Sequence, residues 1–442
     1  MTTRSICFVP GPKLAAVPTI RNYGRNVVFQ PRQLARPRTV DELIEIVRGA
    51  RRLRAVGGAH SWSDAIVTDD TAVSLDRLRG AVAIDRARMQ ATAPGGMRLR
   101  ALNAHLDRHG LALPTLGSID TQSVAGVIAT GTHGTGRSWP CLSALVAKLE
   151  LIDGRGERVT IARGDPDFDG AVVALGALGV VHAVTFDVVD SFRLHDVTGL
   201  ISYDEAVDQL DRHLTDHDHF KLWWLPPGDQ VVAFRFRRTA EPANDRRVRR
   251  WLKDRVLAVG VYRGLLTVGH LSGRRWIPGI NRFLTREVGR PLDRITPSHI
   301  GYLTPVPPIH RESEWAFDIT HAAELLRAYR TLLPADGHTY NFIQEIRFSR
   351  ADELWLSPGY RRDSIWLGLY NIDRRHWPAQ LARFEAFCRA HGGRPHWGKE
   401  AAFDPAYLRT QYPRLADFAA LAARHDPDRK FRNPWLAAIL GP

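Results

Sequence analysis

Two short stretches of the 442-residue chain combine residue types that could carry out chemistry. The first, "RAVGGAHSWSD" at 54–64, delivers His60 and Ser61 from a loop of two glycines and an alanine directly after an apolar run. Consecutive backbone N–H groups without bulky side chains can form a concave site for an anion such as a pyrophosphate. His60 fits four interpretations at this point: a loop histidine bonded to a carbonyl, a metal ligand, a base, or the anchor of a cofactor.

The second stretch, "QEIRF", places Glu345 and Arg347 two residues apart on a predicted strand. Side chains at i and i+2 of a strand lie on the same face, so both groups can enter one pocket, while Ile346 faces the other way. Taken alone, the pair predicts a same-face ion pair worth ~0.2–1 kcal/mol.

A segment rich in glycine, serine and threonine, at 113–136, lies between these two stretches. It has too few bulky apolar residues for an ordinary core helix, and we expect a tight strand, turn and strand whose backbone comes close to a flat partner.

A further polar stretch, "TDHDHF" at 215–220, carries His217 and His219. Since no third ligand is apparent, it favours a solvated turn over a metal site.

The net charge of +14 comes from 61 basic and 47 acidic residues that are interspersed along the chain. This pattern argues against nucleic acid as a partner. The exception is "DRRVRRWLKDR" at 245–255, which is typical of a solvated helix face and less so of a surface that meets phosphates or an anionic bilayer.

Three cysteines, Cys7, Cys141 and Cys388, are far apart and have no CxxC spacing, which predicts a reducing, cytoplasmic compartment. The first twenty residues have no uninterrupted apolar core, so we expect no secretory signal. The most apolar internal stretch, at 256–271, contains Arg263 and is shorter than the ~20 residues of a membrane span. We expect a soluble protein with at most peripheral membrane contact.

The hydrophobic pattern divides the chain near residue 192. Up to that point it predicts short α and β elements: a helix over 38–52 capped at Thr39 or Asp41, a helix closed by Gly110, a hairpin at 145–161, and a helix then a strand over 165–189. From about 193, strands such as "VVAFRF", 314–319, 341–348 and 364–372, with a helix at 321–333, predict an antiparallel sheet covered by helices.

A dinucleotide GxGxxG fingerprint is absent, so a Rossmann site is not expected. Several motifs instead occur in a familiar order: "GGAHS", "GSIDTQSVAG", "ATGTHGTG", "GALGVV", "EIRF", "GRPHWGK" and "YPRLADF…DPDRKFRN". With these motifs the chain, over roughly residues 24–440, resembles the FAD-linked aldonolactone oxidases and dehydrogenases. That group includes the gulono-, galactono- and arabinono-1,4-lactone enzymes and the alditol oxidases, within the vanillyl-alcohol-oxidase type of flavoprotein.

The resemblance implies an α+β, two-domain FAD-binding fold of the vanillyl-alcohol-oxidase (PCMH) type with an antiparallel-sheet substrate domain covered by helices. We expect an FAD domain of two α+β subdomains at 20–192, a substrate or cap domain at 193–400, and a C-terminal segment at 401–442 that returns to the FAD domain.

The resemblance also implies which residues contact FAD. His60 matches the histidine that many relatives bond covalently to the flavin, a reaction suited to a neutral imidazole. The cofactor-binding residues implied in this way are His60, Gly57, Gly58, Ala59, Ser61, Ser118, Ser123, Gly126, Thr132, His133, Gly134 and Val181.

The resemblance assigns catalysis to Glu345, Arg347 and Lys399. Glu345 would hold substrate hydroxyls and is a candidate for taking the hydroxyl proton, Arg347 would stabilise the reduced flavin, and Lys399 would contact substrate oxygens or the ring. Ser118 and Tyr370 would bind substrate together with Glu345. Gly117 matches the point that controls oxygen access, where a missing side chain favours an oxidase.

The implied reaction is oxidation of a sugar-derived carbinol, an aldono-1,4-lactone, with O2 or another acceptor reoxidising the flavin and no metal. Trp315, Asp318 and Tyr370 depart from the pattern of relatives, and we interpret them as an altered pocket wall. This leaves open a polyol or a glycosylated intermediate of specialised metabolism as substrate. A catalytically silent flavin-binding or membrane-associated protein is the alternative from another class.

Overall fold

The structure, a computed structural model, describes residues 18–245, 260, 262–271, 275–304, 308–333, 340 and 342–441. The first 17 residues with Cys7, and the basic run at 245–255 apart from Asp245, lie outside the described residues. Within the described residues, no helix combines the length and apolar character needed to cross a membrane.

The strands in chain order are β1 Ile20–Arg21, β2 Val28–Phe29, β3 Gln33–Ala35, β4 Leu53–Ala55, β5 Thr71–Val73, β6 Ala83–Asp85, β7 Gln90–Pro94, β8 Leu111–Ala112, β9 Val146–Ile152, β10 Arg158–Ala162, β11 Val180–Asp187, β12 Val189–Asp190, β13 Arg193–Ser202, β14 His219–Trp224, β15 Gln230–Thr239, β16 Leu292–Pro297, β17 Arg311–Asp318, β18 Gln344–Ser349, β19 Ser364–Asn371 and β20 Arg394–Pro395.

The α-helices are α1 Val40–Gly49, α2 Leu99–Arg108, α3 Val124–Ala129, α4 Phe168–Ala171, α5 Tyr203–Asp208, α6 Leu210–Asp216, α7 Tyr262–Leu271, α8 Ile277–Val288, α9 Ser298–Gly301, α10 Ala322–Leu332, α11 Trp377–Ala390, α12 Pro405–Gln411, α13 Leu415–His425 and α14 Pro434–Leu440.

A small parallel sheet, in the order β3-β5-β4, opens the fold. Helix α1 covers it through Leu43 and Val47, which are fully buried, and the hydroxyl of Thr39 caps the helix as predicted. Strand β4 ends at Ala55, so the segment 56–61, here called the glycine loop, begins at the carboxyl end of a parallel strand. Ligands commonly bind at this end in such sheets.

A middle sheet, in the order β10-β9-β11-β7-β6, follows with antiparallel pairing throughout. The hairpin predicted at 145–161 is β9 and β10. The helix predicted before β11 is mostly wrong: it is reduced to α4 because Leu175, Gly176 and Gly179 take positive φ angles, which end a helix.

The glycine-, serine- and threonine-rich segment at 113–136, here called the small-residue segment, also differs from the prediction of a strand, turn and strand. It contains helix α3, whose first turn is capped by the hydroxyl of Ser123 accepting a hydrogen bond from the backbone N of Gly126. Val124, Val127 and Ile128 bury one side of this short helix. Three apolar residues at helical spacing and one cap therefore outweigh the lack of bulk.

The large antiparallel sheet runs in the order β16-β13-β15-β14-β18-β19-β17-β20. One face is apolar and packs against α5, α10 and α11, with Ile346, Leu367 and Phe317 fully buried there. Because successive strand residues point to opposite faces, the alternate positions face away from these helices. They carry the charged residues described below.

The C-terminal segment packs back onto the N-terminal half. Backbone N of Leu53 donates to the carbonyl of Lys430 at 2.7 Å. The buried guanidinium of Arg54 donates to the carbonyls of Leu175, Gly176 and Phe431 at 2.7, 3.1 and 2.7 Å. The domain boundaries at 192 and 400 stay a prediction.

Candidate active site

The charged face of the large sheet is the framework of the candidate site. The face opposite the helices carries five charged residues, Lys221 on β14, Glu345 and Arg347 on β18, and Glu312 and Glu314 on β17. The strand registers place them on one face, since Trp223 pairs with Glu345, and Trp366 pairs with both Arg347 and Ala316. All five charged side chains are buried. Buried charges of both signs at this spacing must pair with one another, because an isolated ion in a protein interior costs several kcal/mol.

Glu345 is held by donors from both halves of the molecule. Its Oε1 accepts hydrogen bonds from Lys221 Nζ at 2.8 Å and Trp223 Nε1 at 3.0 Å. Ser118 Oγ, from the small-residue segment, donates to the same oxygen at 3.4 Å. Burial raises the pKa of Glu345, but Lys221 and Arg347 outweigh burial and hold it at about 2. The group is a permanent carboxylate.

Arg347 lies between two carboxylates. Its Nη2 donates to Glu314 Oε1, and its Nε lies 3.5 Å from Glu345 Oε2. Its Nη1 donates to the carbonyl of His133 at 3.4 Å, which connects the sheet to the small-residue segment. Burial lowers the pKa of Arg347, and the two glutamates more than compensate, so the pKa lies above its ordinary value. The predicted pairing of Glu345 and Arg347 on one face is therefore observed.

Lys399 enters from the loop after β20. Its Nζ donates to Glu312 Oε1 and lies 4.7 Å from the centre of the Trp62 ring. Trp62 follows the glycine loop closely, and its backbone N donates to the carbonyl of Gly398 at 2.7 Å. These contacts bring the "GRPHWGK" and "GGAHS" motifs together at the charged face.

His60 occupies a strained loop with an unused ring nitrogen. Ala59 adopts a φ of +52°, and its carbonyl accepts a hydrogen bond from the backbone N of Tyr23 at 2.8 Å. The Tyr23 ring stacks on His60 at 5.4 Å. Nδ1 of His60 is buried and has no hydrogen-bond partner. Burial, followed by the charges of Arg98 and Lys399, lowers the pKa of His60 to about 4, so the imidazole is neutral at physiological pH.

The predicted glycines lie where a side chain would collide with neighbouring atoms. A Cβ on Gly57 would lie 2.1 Å from Ser123 Oγ, and one on Gly58 would lie 2.5 Å from an Arg98 nitrogen. A Cβ on Gly134 would lie 2.5 Å from Thr115 Oγ1. The glycine loop and the small-residue segment thus leave no space for a side chain at these three positions, as their small residues require.

The remaining predicted residues divide between the site and other places. Thr132 and Gly117 are buried in the small-residue segment near His133. Ser123 caps α3, with Gly126 in the first turn of that helix. The carbonyl of Ser61 accepts a hydrogen bond from Asn22 at 2.8 Å. Val181 lies on β11 of the middle sheet, with its carbonyl against Gly95. The roles of all these residues stay predictions.

The interpretation of Trp315 as part of a pocket wall is wrong, and that of Asp318 stays a prediction. Trp315 is buried on the helix-covered face of the large sheet, because it alternates with Glu314. Asp318 ends β17 and accepts a hydrogen bond from the backbone N of Thr320. Tyr370 does lie on the charged-face side, directly opposite Glu312, with its ring over Gly368 and its hydroxyl buried without a partner.

The solvated turn predicted at 215–220 is also wrong for His219. This residue begins β14 and is fully buried, with Nδ1 donating to the carbonyl of Thr135 at 2.7 Å and Nε2 2.8 Å from the Tyr302 hydroxyl. Among the described residues, a different group has the spacing of metal ligands: the ligand atoms of His133, Glu314 and His396 lie within 4.8 Å of one another. Arg347 already binds this carboxylate, and repulsion from its guanidinium disfavours a metal ion there.

Sequence reasoning missed Lys221, Trp223, Glu312 and Glu314 as site residues. A usable signal was present in "FKLWW", where Lys221 alternates with large apolar residues, and in "RESEW", where two glutamates lie two residues apart at the start of the strand predicted from 314. Such a pattern places the charges on one face of a buried strand, where they need partners.

Two family models match the chain. The model described as FAD binding domain matches residues 31–162, and the model described as D-arabinono-1,4-lactone oxidase matches residues 184–439. The chain belongs to the D-arabinono-1,4-lactone oxidase family. This confirms the predicted family, and it places the FAD-binding match on the half that contains the glycine loop.

Characterised relatives match almost end to end. L-gulono-1,4-lactone dehydrogenase of Mycobacterium tuberculosis is 31% identical over 434 residues, 96% of this chain and 100% of the relative. Alditol oxidase of a Streptomyces species is 31% identical and covers 95% of this chain and 99% of its own. L-gulonolactone oxidase of Bos taurus is 28% identical, with 95% and 97% covered.

Solved structures show the same architecture. A cholesterol oxidase variant from Brevibacterium sterolicum superposes with a TM-score of 0.81 at 15% sequence identity, covering 99% of this chain and 100% of that one. At this identity the likeness concerns the fold alone. Together with the FAD-binding match it confirms the predicted α+β, FAD-binding fold class.

The Lys221–Glu345 pair makes a pH-dependent contribution to stability that can be measured. Because the pKa of Glu345 in the fold lies below its ordinary value of 4.5, the carboxylate stabilises the fold above that pH, and the effect is lost as pH falls towards 2. We expect Lys221→Met to lower the free energy of unfolding by about 3 kcal/mol near neutral pH, and by less at about pH 4. Urea denaturation at both pH values measures the difference.

The matched control is Lys148→Met, which removes the partly exposed pair between Lys148 and Glu150 at 2.7 Å. A loss of at most about 1 kcal/mol is expected there. If Lys221→Met costs no more than this control and the cost is the same at both pH values, the buried pair does not stabilise the site.

Proposed function

We propose that this protein oxidises a CH–OH group of a sugar-derived small molecule, an aldono-1,4-lactone of the L-gulono or D-arabinono type, with FAD as the oxidant. The observation that carries the proposal is the convergence of Glu345, Arg347 and Lys399 beside the His60 loop. Relatives named for gulonolactone, arabinonolactone and alditol oxidation support the substrate class.

The residues present fit FAD. The unpartnered Nδ1 of His60, and the backbone N–H groups of Gly57 and Gly58 directly after β4, suit the glycine loop to holding a flat ring and a diphosphate. We propose that FAD is attached covalently through His60. FAD, when bound, supplies the acceptor for the hydride that leaves the carbinol carbon.

The charged residues then have distinct tasks. Glu345 accepts a hydrogen bond from a substrate hydroxyl and, with Ser118, orients it. A carboxylate with a pKa of about 2 is a weak base. Lys221 and Trp223 both donate to Oε1, so Oε2, which lies 3.5 Å from Arg347 Nε, is the oxygen that would take the hydroxyl proton when the hydride leaves. Arg347 would stabilise the negative charge of the reduced flavin, and Lys399 would contact the substrate oxygens or the flavin ring.

A polyol is the second candidate substrate. The alditol oxidase relative favours it, since that protein is as similar to this chain as the lactone dehydrogenase. Tyr370, which lies beside Glu312 on the charged-face side, is a departure that can alter the pocket. We propose Tyr370 as a substrate-binding residue.

The electron acceptor and the compartment complete the proposal. We propose O2 as one acceptor, with the missing side chain of Gly117 as the feature that gives O2 access to the flavin. A cytoplasmic location is supported by the two described cysteines, Cys141 and Cys388, which are both free and buried.

Flavin reduction by substrate tests the function directly. We expect Glu345→Gln to slow anaerobic reduction of the bound flavin by D-arabinono-1,4-lactone by about 100-fold, because a neutral amide holds the substrate hydroxyl less strongly. Stopped-flow absorbance of the flavin measures the rate. Glu324→Gln, on the exposed side of α10, should match the wild type. A wild-type flavin that no lactone or polyol reduces would indicate a catalytically silent flavin-binding protein.

The covalent bond is tested by acid precipitation. We expect the yellow colour to stay in the pellet for the wild type and to be lost in His60→Ala, while His391→Ala, at an exposed histidine, keeps it. Because the pKa of His60 is about 4, the imidazole is neutral above about pH 5, and the rate of FAD attachment to apoprotein should be flat from there to about pH 8. Colour released from the wild-type pellet would contradict the bond.

Gly117 allows a conservative test of oxygen access. An added Cβ would lie 3.4 Å from the carbonyl of His133 and 3.5 Å from Thr132 Cγ2, so alanine fits without moving its neighbours far. We expect Gly117→Ala to slow reoxidation of the reduced flavin by O2 about tenfold, or about 1.4 kcal/mol of barrier, and to leave reoxidation by a soluble dye acceptor unchanged. Equal rates with O2 in both proteins would contradict the role of Gly117.

A further inference from the structure

An aromatic pair lies beside the carboxylate that the site is built around. Trp223 is the direct strand partner of Glu345, and Phe234 is the partner of Lys221 on the next strand. The two rings meet edge to face at 4.8 Å. Both side chains are partly exposed, whereas the charged residues next to them are buried. The pair therefore extends the charged face with an accessible apolar surface.

The aromatic pair is coupled rigidly to Glu345. The Lys221 ammonium lies 5.0 Å from the centre of the Trp223 ring and 5.1 Å from that of Phe234, and the same ammonium binds Glu345. Trp223 adds its own N–H bond to Glu345. An acceptor for a hydroxyl and an apolar platform are thus held at a fixed spacing, which favours a ligand with both features.

Ring-bearing molecules match this arrangement better than flexible chains do. A sugar ring presents an apolar face of slightly positive C–H groups, and a phenyl ring carries such groups at its edge. Either can contact the slightly negative face of an aromatic side chain. An open-chain polyol has no such face, and ordering it costs rotational freedom at each carbon. The binding affinity that Trp223 and Phe234 add should therefore depend on a ring placed next to the bound hydroxyl.

We propose that Trp223 and Phe234 form an aromatic subsite for a ring that the substrate carries beyond the hydroxyl bound by Glu345. The preferred substrates are then carbinols with a glycosyl or aryl substituent, and simple polyols are poorer. This inference rests on the proposed function for its reaction, and it adds a binding site that the reaction does not require.

A matched pair of probes tests the subsite: xylitol and its 1-O-phenyl ether. In the wild type we expect kcat/KM for flavin reduction to be about tenfold higher with the phenyl ether, equivalent to about 1.4 kcal/mol. Phe234→Leu should bring the ratio of the two values close to one. Trp223→Phe should keep the preference, because a ring remains, and should weaken both probes, because the N–H bond to Glu345 is lost.

Trp276→Leu is the control for loss of an aromatic ring elsewhere, since Trp276 is 62% exposed on α8's amino-terminal side, and it should leave both values unchanged. A wild-type ratio near one, or a ratio that Phe234→Leu leaves intact, would overturn the subsite. If neither probe reduces the flavin, the polyol candidate fails, while reduction by D-arabinono-1,4-lactone still decides the proposed oxidation. Titration of the flavin absorbance with the phenyl ether then decides the subsite: a Kd that Phe234→Leu does not weaken overturns it.

Discussion

A run of buried ion pairs across the large sheet is the interaction on which the site depends. Lys221 binds Glu345 at 2.8 Å, Glu345 lies 3.5 Å from Arg347, and Arg347 binds Glu314. Each of these charges would be costly to bury without its neighbours. Because positive and negative groups alternate along this run, each side chain has one favourable position, and the sheet itself fixes where Glu345 and Arg347 point.

Strand β17 extends this arrangement to Lys399. Glu312 and Glu314, two residues apart, bind Lys399 and Arg347 respectively, so one strand orients both positive groups. Lys399 in turn lies over Trp62 beside the glycine loop. The loop and the charged face are therefore assembled by contacts within the chain, which fix the positions of the charges. Such preorganised charge is what stabilises a transition state most effectively.

Period-two alternation was enough to predict that Glu345 and Arg347 share a face and that Ile346 does not. The family resemblance supplied the fold class and the family, which no spacing argument could have reached. Neither source revealed that Lys221 lies beside Glu345, since that contact depends on the register between strands 124 residues apart. His219 was misjudged for the same reason: its buried partners come from distant parts of the chain, which local polarity does not reveal.

The central claim is that the charged face of the large sheet and the glycine loop enclose one site for flavin and substrate. A crystal structure of the FAD-loaded protein, soaked anaerobically with an unreactive lactone analogue, tests it most directly. We expect the isoalloxazine ring between the glycine loop and Arg347, with an analogue hydroxyl within hydrogen-bond distance of Glu345. A flavin ring or an analogue bound away from Glu345 and Arg347 would contradict it.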